Sequence, residues 1–554
     1  MNEFFLMLTA VVGLAGLCGF VAKLLKQPPI VGYVFSGVLL SLFFPNIVGH
    51  GETIEVMGKL GVTLLLFLVG LELPIDELKR MGKVAVITGI GQIVFTVGVG
   101  YLILVALGFG SLAAIYISVA LAFSSTIIIV KLLTQKKELQ SLHGKISVGF
   151  LLVQDFVAIG IFVVLSGLGQ SGNLDLASLA WVLVKGILLV VLTLLISTKI
   201  MPRLLLKLSE SSEILFVVSI GWCLVVSSLV ASPLIGFGLE MGGFLAGLAL
   251  ANASEHLQIV ARIRPLRDFF LTIFFVWMGA SMELSAISSV WPLALLLSVF
   301  VLIGNPLIVM ILMKFLGYRK RTGFMVGLTV AQISEFSLIL IAMANSFGHV
   351  DRSTLSLMAL VGVITMTVST YMIINSDRLF KLLSKILNVF EPKRAVGKGI
   401  EITKKPIDHI LLFGHNRTGS KLRPTLEKLG EVLVVDFNPS EIERLNDLGT
   451  VAIYGDISDF ELYEEIGLSV AKLVISTVPD VEDNAQILEY LSGVKKKPGI
   501  IMTATDEHEA KRLYKLGADF VLIPQQVGGE FLAGVIEKHG FDLSYLKKNI
   551  KNGV

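Results

Sequence analysis

Apolar stretches of about 17 to 25 residues, the length of helix that crosses a hydrocarbon core, recur along this chain as far as about residue 378 and then stop. Thirteen are read, at 4–22, 30–46, 56–74, 84–107, 110–130, 146–168, 178–198, 212–231, 233–251, 268–284, 290–313, 322–346 and 354–376. The first of them lacks a basic leader and a small-residue cleavage site, so it is read as a retained helix and not a signal peptide. With 16% charged residues and a mean hydropathy of +0.81, the chain is too apolar for a soluble globular protein. Its net charge of +3 suggests neither a nucleic-acid-binding surface nor an acidic tail.

Lys and Arg in short loops resist translocation and so set orientation. Here they fall in alternate loops: Lys23 and Lys26, Lys79 to Lys83, Lys131 to Lys145, Lys199 to Lys207, Arg262 to Arg267, and Lys314 to Arg321. The intervening loops carry Arg352 alone. That asymmetry predicts an N-terminus outside and everything beyond residue 378 in the cytoplasm, and it supports the helix count, since one missed span would put later loops on the wrong side.

Ionisable groups within a bilayer are costly, and each is a functional candidate. Asp155, in GFLLVQDFVAIGIF, lies about ten residues from the basic end of the sixth span, roughly 15 Å into a core about 30 Å thick. Gln154 precedes it, and no Lys or Arg stands within a helical turn. A carboxylate so placed suits alternate binding of a proton and a cation. Alkali cations prefer oxygen ligands, and Ser124, Ser125 and Thr126 in the fifth span supply hydroxyls at a point where an unwound turn would expose carbonyls. Gln332, Ser334 and Glu335, in AQISEF of the twelfth span, suggest a second break in the mirror-image position of an inverted repeat. For Glu335 a structural role, balancing helix ends, competes with proton carriage. Glu72, Glu240 and Asp268 read as interfacial or packing charges.

After a linker at 381–406 the pattern changes to apolar strands alternating with amphipathic helices: 409–414, 431–436, 451–456, 472–478, 499–504 and 518–523. This predicts a doubly wound parallel sheet over 407–525, followed by a helical tail at 526–554. The first strand runs into Gly414-His415-Asn416-Arg417-Thr418-Gly419, and Asp436 ends the next strand 22 residues after Gly414. This is the dinucleotide fingerprint in its strand, turn and helix context, with Asn416 in place of the second glycine. Asp436 suits an unphosphorylated ribose, which favours an adenine nucleotide as regulatory ligand, AMP ahead of NAD(H). Gly455, Asp456, Ser476 and Thr477, at later strand ends, complete the expected nucleotide site. No hydride-transfer partner or substrate domain follows, so the chain does not read as an enzyme.

In the first 380 residues, KQPPIVGYVFSGVLL, LLLFLVGLEL, the SST motif, VQDF, GGFLAGLAL, PLRDFFLTIFFVWMGASME and AQISEF occur in order. Together they resemble the second cation/proton antiporter family, in particular Kef-type potassium efflux systems; the second domain resembles the TrkA N-terminal type that regulates potassium conductance. The resemblance implies an α-helical polytopic membrane protein of thirteen helices with an inverted repeat, two crossing broken helices and a C-terminal α/β Rossmann-like domain. It further implies a homodimer and exchange of a monovalent cation, K⁺ or Na⁺, for protons around Asp155. Electrogenic relatives carry two adjacent acids, so Gln154 before Asp155 implies electroneutral exchange. Relatives often have a lysine in the middle of the eleventh helix, where VLIGNPLIVM here carries Asn305. No arginine-rich equivalent of the glutathione cleft is found. A ligand-gated potassium channel is the rival from another class, and the chain has no TVGYG-like filter.

Overall fold

The computed structural model describes residues 2–43, 51–71, 83–136, 138–139, 141–171, 184–185, 188–189, 191–193, 195–197, 212–232, 235, 237–251, 256–282, 284–392, 407–436, 439–455, 457 and 460–540. Two compact units divide the chain: Met1–Lys136, Lys145–Met313 and Thr322–Phe390 form the first, and Lys137–Gly144, Lys314–Arg321 and Glu391–Val554 the second.

The first unit is helical. Its elements are α1 (Asn2–Leu24), α2 (Pro29–Phe43), α3 (Gly51–Leu71), α4 (Lys83–Ala106), α5 (Ser111–Ala122), α6 (Thr126–Gln135), α7 (Leu142–Ser171) and α8 (Ser212–Val230). There follow α9 (Leu239–Leu250), α10 (His256–Ala280), α11 (Leu284–Val299), α12 (Asn305–Phe315), α13 (Lys320–Leu328), α14 (Glu335–Ser346), α15 (Arg352–Ile374) and α16 (Ser376–Leu387). Every apolar stretch read from the sequence coincides with a helix or a broken pair of helices, except 178–198, which falls largely outside the described residues. Large apolar side chains such as Phe20, Leu102, Val217 and Ile303 stay exposed on the helix surfaces, as lipid-facing positions require. The first residues of the segment read as a linker, 381–387, lie in α16. A strongly amphipathic sequence, SDRLFKLLSKIL, carries the helix to Leu387.

Lipid tails are as apolar as leucine, so helix association in a bilayer depends on close packing. The tightest seams use small residues. Gly243 and Gly247 lie one turn apart on α9, and a Cβ added at Gly247 would stand 1.9 Å from the Phe67 carbonyl oxygen of α3. The turn between α1 and α2 closes differently: Gln27 N–H donates to Ala22 O at 2.8 Å and Lys26 N–H to Lys23 O at 3.0 Å. This is a Schellman ending with Lys26, at φ +58°, in the left-handed position usually given to glycine. A side chain there costs about 1–2 kcal/mol.

In the second unit β1 (Ile410–Phe413), α17 (Arg417–Leu426), β2 (Val432–Asp436), α18 (Pro439–Asp447), β3 (Ala452–Tyr454) and α19 (Phe460–Glu465) precede β4 (Leu473–Ser476). Then come α20 (Val481–Ser492), β5 (Gly499–Thr503), α21 (Glu507–Leu516), β6 (Phe520–Leu522) and α22 (Pro524–His539). All five strand pairings are parallel, and the order is β3-β2-β1-β4-β5-β6. Every residue of β1 and β2 is buried, which explains why the central strands read as unbroken apolar runs. The order reverses between β1 and β4, and ligands of such sheets bind at that switch, beyond the carboxyl ends of the strands.

Replacing Gly247 by Val is expected to force α3 and α9 apart. Thermal unfolding in detergent should show a lower midpoint, corresponding to about 1–3 kcal/mol of overpacking strain.

Candidate functional site

A helix that stops in the middle of a membrane leaves N–H and C=O groups unpaired. Two do so here. Between α5 and α6, Phe123 (φ −92°, ψ 140°) and Ser125 (φ −76°, ψ 110°) are extended. Ser125 Oγ accepts from the Ile128 N–H at 3.4 Å and so caps α6. Thr126 Oγ1, at the first position of α6, donates to Asp155 Oδ2 at 2.9 Å. Ser124 N–H donates to Gln154 Oε1 at 3.2 Å, and its hydroxyl to Val330 O at 3.4 Å. The sequence-predicted residues Ser124, Ser125, Thr126, Gln154 and Asp155 are thus together.

The second break separates α13 from α14. Ser334 Oγ accepts from Phe336 N–H at 3.2 Å, and Ser337 Oγ accepts from Ser334 N–H at 3.2 Å, a reciprocal capping box. Glu335 opens α14, where the positive end of the helix dipole favours an acid. It is 4% exposed and accepts from the Ser334 hydroxyl at 3.3 Å. Gln332 Oε1 accepts from Ser369 Oγ at 2.7 Å, while its Nε2 is buried without a partner among the described residues.

Where the breaks meet, three neutral amides do most of the bonding. Gln154 Nε2 donates to Ala122 O (2.9 Å) and to Gln92 Oε1 (2.6 Å). Gln92 Nε2 donates to Ala122 O (3.2 Å) and Thr96 Oγ1 (3.0 Å), and Thr96 donates in turn to Asn305 Oδ1 (2.6 Å). Asn305 Nδ2 donates to Leu121 O at 3.3 Å and Val330 O at 3.4 Å, one carbonyl from each broken helix. A five-residue π-helix, Phe300–Gly304, joins α11 to α12 immediately before Asn305. Such bulges re-aim the side chains beyond them and gather at functional sites. Gln92, Thr96 and the π segment were missed in the sequence reading. An amide in the middle of the fourth apolar stretch was the available signal for Gln92; the π segment has none.

Among the described residues, no Lys or Arg lies within ion-pair distance of Asp155, and the Thr126 hydroxyl is its hydrogen-bond donor. Glu240 lines a separate cavity of about 540 Å³ with Lys59 and Arg352. Asp268 is exposed and held by Arg267 at 2.7 Å. Glu72 lies outside the described residues.

In the second unit the fingerprint turn follows β1. Gly414 has φ +83°, a left-handed conformation that a side chain strains, and a Cβ at Gly419 would fall 2.0 Å from Gly414 O. The first and third glycines therefore meet backbone demands. His415 N–H donates to Asp436 Oδ2 at 2.6 Å, which ties the end of β2 to the turn. His415 Nδ1 lies 2.7 Å from Glu441 Oε1. Asn416 and Arg417 are exposed at the start of α17, with Thr418 half-buried behind them. Thr477 Oγ1 donates to Gly414 O at 2.9 Å and so braces the turn, while Ser476 Oγ accepts from Val478 N–H at 3.3 Å within the loop after β4. Gly455 N–H donates to Asp436 O at 3.0 Å, and Asp456 lies outside the described residues.

Gln154→Leu removes the donor to Ala122 O and the acceptor for Ser124 N–H together. A loss of about 1–3 kcal/mol per group left unpaired is expected, read as a lower unfolding midpoint in detergent.

A family model described as sodium/hydrogen exchanger, transmembrane, matches residues 7–374, and one for the TrkA-N domain matches 410–524. Similar proteins include the inner membrane protein YbaL of Escherichia coli, 26% identical over 539 residues, covering 94% of this chain and 95% of that one. K⁺ efflux antiporter 5 of Arabidopsis thaliana is 28% identical over 392 residues, 69% of this chain and 67% of its own. Among solved structures, the sodium proton antiporter NhaP1 of Methanocaldococcus jannaschii shares the membrane fold, with a TM-score of 0.51 and 17% identity over 70% of this chain and 98% of that one. The chain belongs to the sodium/hydrogen exchanger family of transmembrane cation/proton antiporters and joins that unit to a Rossmann-type TrkA-N domain.

Proposed function

We propose that this antiporter exchanges K⁺ for H⁺, one for one, and that an adenine nucleotide bound to the TrkA-N domain regulates it. The observation that carries the reading is Asp155, bonded to Thr126 at the first broken helix, with no Lys or Arg in ion-pair distance among the described residues. A proton and a dehydrated monovalent cation compete for that carboxylate. When the cation is bound, Thr126, Ser124, Ser125 and the backbone carbonyls of the break are the oxygens at hand. Competition at one group couples the two fluxes. Gln154 supplies no second charge, because an amide does not ionise, and both ends of it bond at the crossing. Gln332, Ser334 and Glu335 hold the second break and shape the field across from it.

Potassium is favoured over sodium because several similar proteins, among them two from Arabidopsis thaliana, are named K⁺ efflux antiporters. In the TrkA-N unit, the residues of the turn from Gly414 to Gly419 cradle phosphate at the N-terminus of α17, and Asp436, with Gly455, Asp456, Ser476 and Thr477 around the switch point, receives the ribose side. AMP is preferred to NAD(H), since the Asn416 side chain takes space that a pyrophosphate would need. The nucleotide acts only through different affinity for the two transport states. The protein works as a homodimer in a prokaryotic inner membrane, with its N-terminus outside and residues 381–554 in the cytoplasm: a linker to 406, the nucleotide domain over 407–525, and a helical tail.

In proteoliposomes carrying a pH dye, K⁺ should drive proton movement that Asp155→Asn abolishes and that a membrane potential does not alter. Cation flux without proton movement, or normal exchange by Asp155→Asn, would replace the antiport mechanism with a channel; stronger coupling to Na⁺ would reassign the ion. For the nucleotide, titration calorimetry on the full chain should show AMP binding weakened at least tenfold by Asp436→Ala, about 1.4 kcal/mol or more.

A further inference from the structure

A cavity of about 750 Å³ opens at the end of the helical unit that carries the basic loops, between the α1–α2 turn, α6, α10 and α15, with Glu335 in its wall. Its charge is the reverse of what a cation vestibule needs. Lys23, Lys26, Lys131, Lys136 and Arg267 line it against the carboxylates of Asp268 and Glu335. Arg267 is taken by Asp268 at 2.7 Å, and Lys136 by Asp377 at 3.5 Å. Lys23, Lys26 and Lys131 are exposed and form no ion pair among the described residues. They would repel K⁺ and attract an anion.

Two further observations point to a ligand. Gln27 lines the cavity and is 8% exposed, yet among the described residues neither its Nε2 nor its Oε1 has a hydrogen-bond partner. A buried amide left wholly unpaired calls for an explanation, and an oxyanion accepting from Nε2 is one. Lys26 beside it sits in the left-handed position of the turn, where glycine would be relaxed. The rest of the wall is apolar, with Ile30, Leu271, Phe275 and Ile374 below the lysines. Lysines over an apolar wall, at the depth of a charged leaflet surface, match an amphiphile with an anionic head.

We propose that this cavity is a binding site for a phosphate ester, and specifically for the headgroup and upper acyl chain of an anionic phospholipid. Lys23, Lys26 and Lys131 hold the phosphate, Gln27 donates to it, and the chains lie along Ile30 and Phe275. The lipid would neutralise the mouth of the cavity that leads to Glu335, and membrane composition would thereby tune ion access. The assignment rests on the reading that this end faces the cytoplasmic leaflet; since the test reads binding and not transport, it can fail while the antiport mechanism stands.

The full chain, purified in neutral detergent, would be followed by native mass spectrometry and thermal unfolding with phosphatidylglycerol, phosphatidylcholine or inorganic phosphate. Phosphatidylglycerol should give a retained adduct and a raised midpoint, and phosphatidylcholine neither. The variant carrying Lys23→Gln, Lys26→Gln and Lys131→Gln should bind at least tenfold more weakly. Lys26→Gly relaxes the turn, so it should fold at least as well as the natural chain and still lose part of the affinity. Equal binding by the natural chain and both variants would overturn the site. A full shift with inorganic phosphate alone would overturn the lipid as its source.

Discussion

A helix interrupted in the middle of a bilayer exposes backbone groups to a medium that cannot hydrogen-bond them, and this unit interrupts two. The remaining architecture of the core answers that cost. Ser125 and Ser334 cap the restarted helices. Gln92, Gln154 and Asn305 satisfy Leu121, Ala122 and Val330 carbonyls from outside the broken segments. Three separate helices, α4, α7 and α12, therefore converge on the two breaks, and the π segment before Asn305 is part of the geometry that brings α12 there.

The crossing is electrically quiet because amides, not cations, stabilise it. On the proposed reading this leaves Asp155 as the charge that matters, and a neutral crossing needs no counter-charge to move with the ion. A lysine in place of Asn305 would offer stronger donors to the same carbonyls, but it would add a positive charge close to the carboxylate. Removing that charge is physically consistent with a one-for-one exchange, since each transport state then differs only in which cation neutralises Asp155.

The second unit obeys the opposite solvent rules with a similar economy of backbone. Its parallel strands are buried on both faces, so chemistry is confined to their carboxyl ends. There, Gly414, Gly419 and the His415 N–H to Asp436 contact shape a turn that leaves Asn416 and Arg417 exposed at a helix N-terminus. Thr477 on β4 clamps that turn across the switch point, so the sheet topology and the putting together of the turn are one arrangement.

Hydropathy and strand periodicity are local properties, and they determined the helical spans and the six-stranded parallel sheet; the likeness to an exchanger rested on the ordered motifs. Asp155, the hydroxyls of 124–126 and the serine and acid of 334–335 were legible for the same reason: a polar group in an apolar run is conspicuous wherever the chain goes. What touches them was not legible. That Gln154 bonds to the broken helix, that Gln92 and Thr96 reach the crossing, and that Asn305 bridges both breaks depend on helix rotation and on a π turn with no sequence mark. Equally, the lysines of separate loops read as topology signals alone. Only packing brought three of them, with an unpaired Gln27, around one cavity, because sequence distance says nothing about which helix ends share a wall.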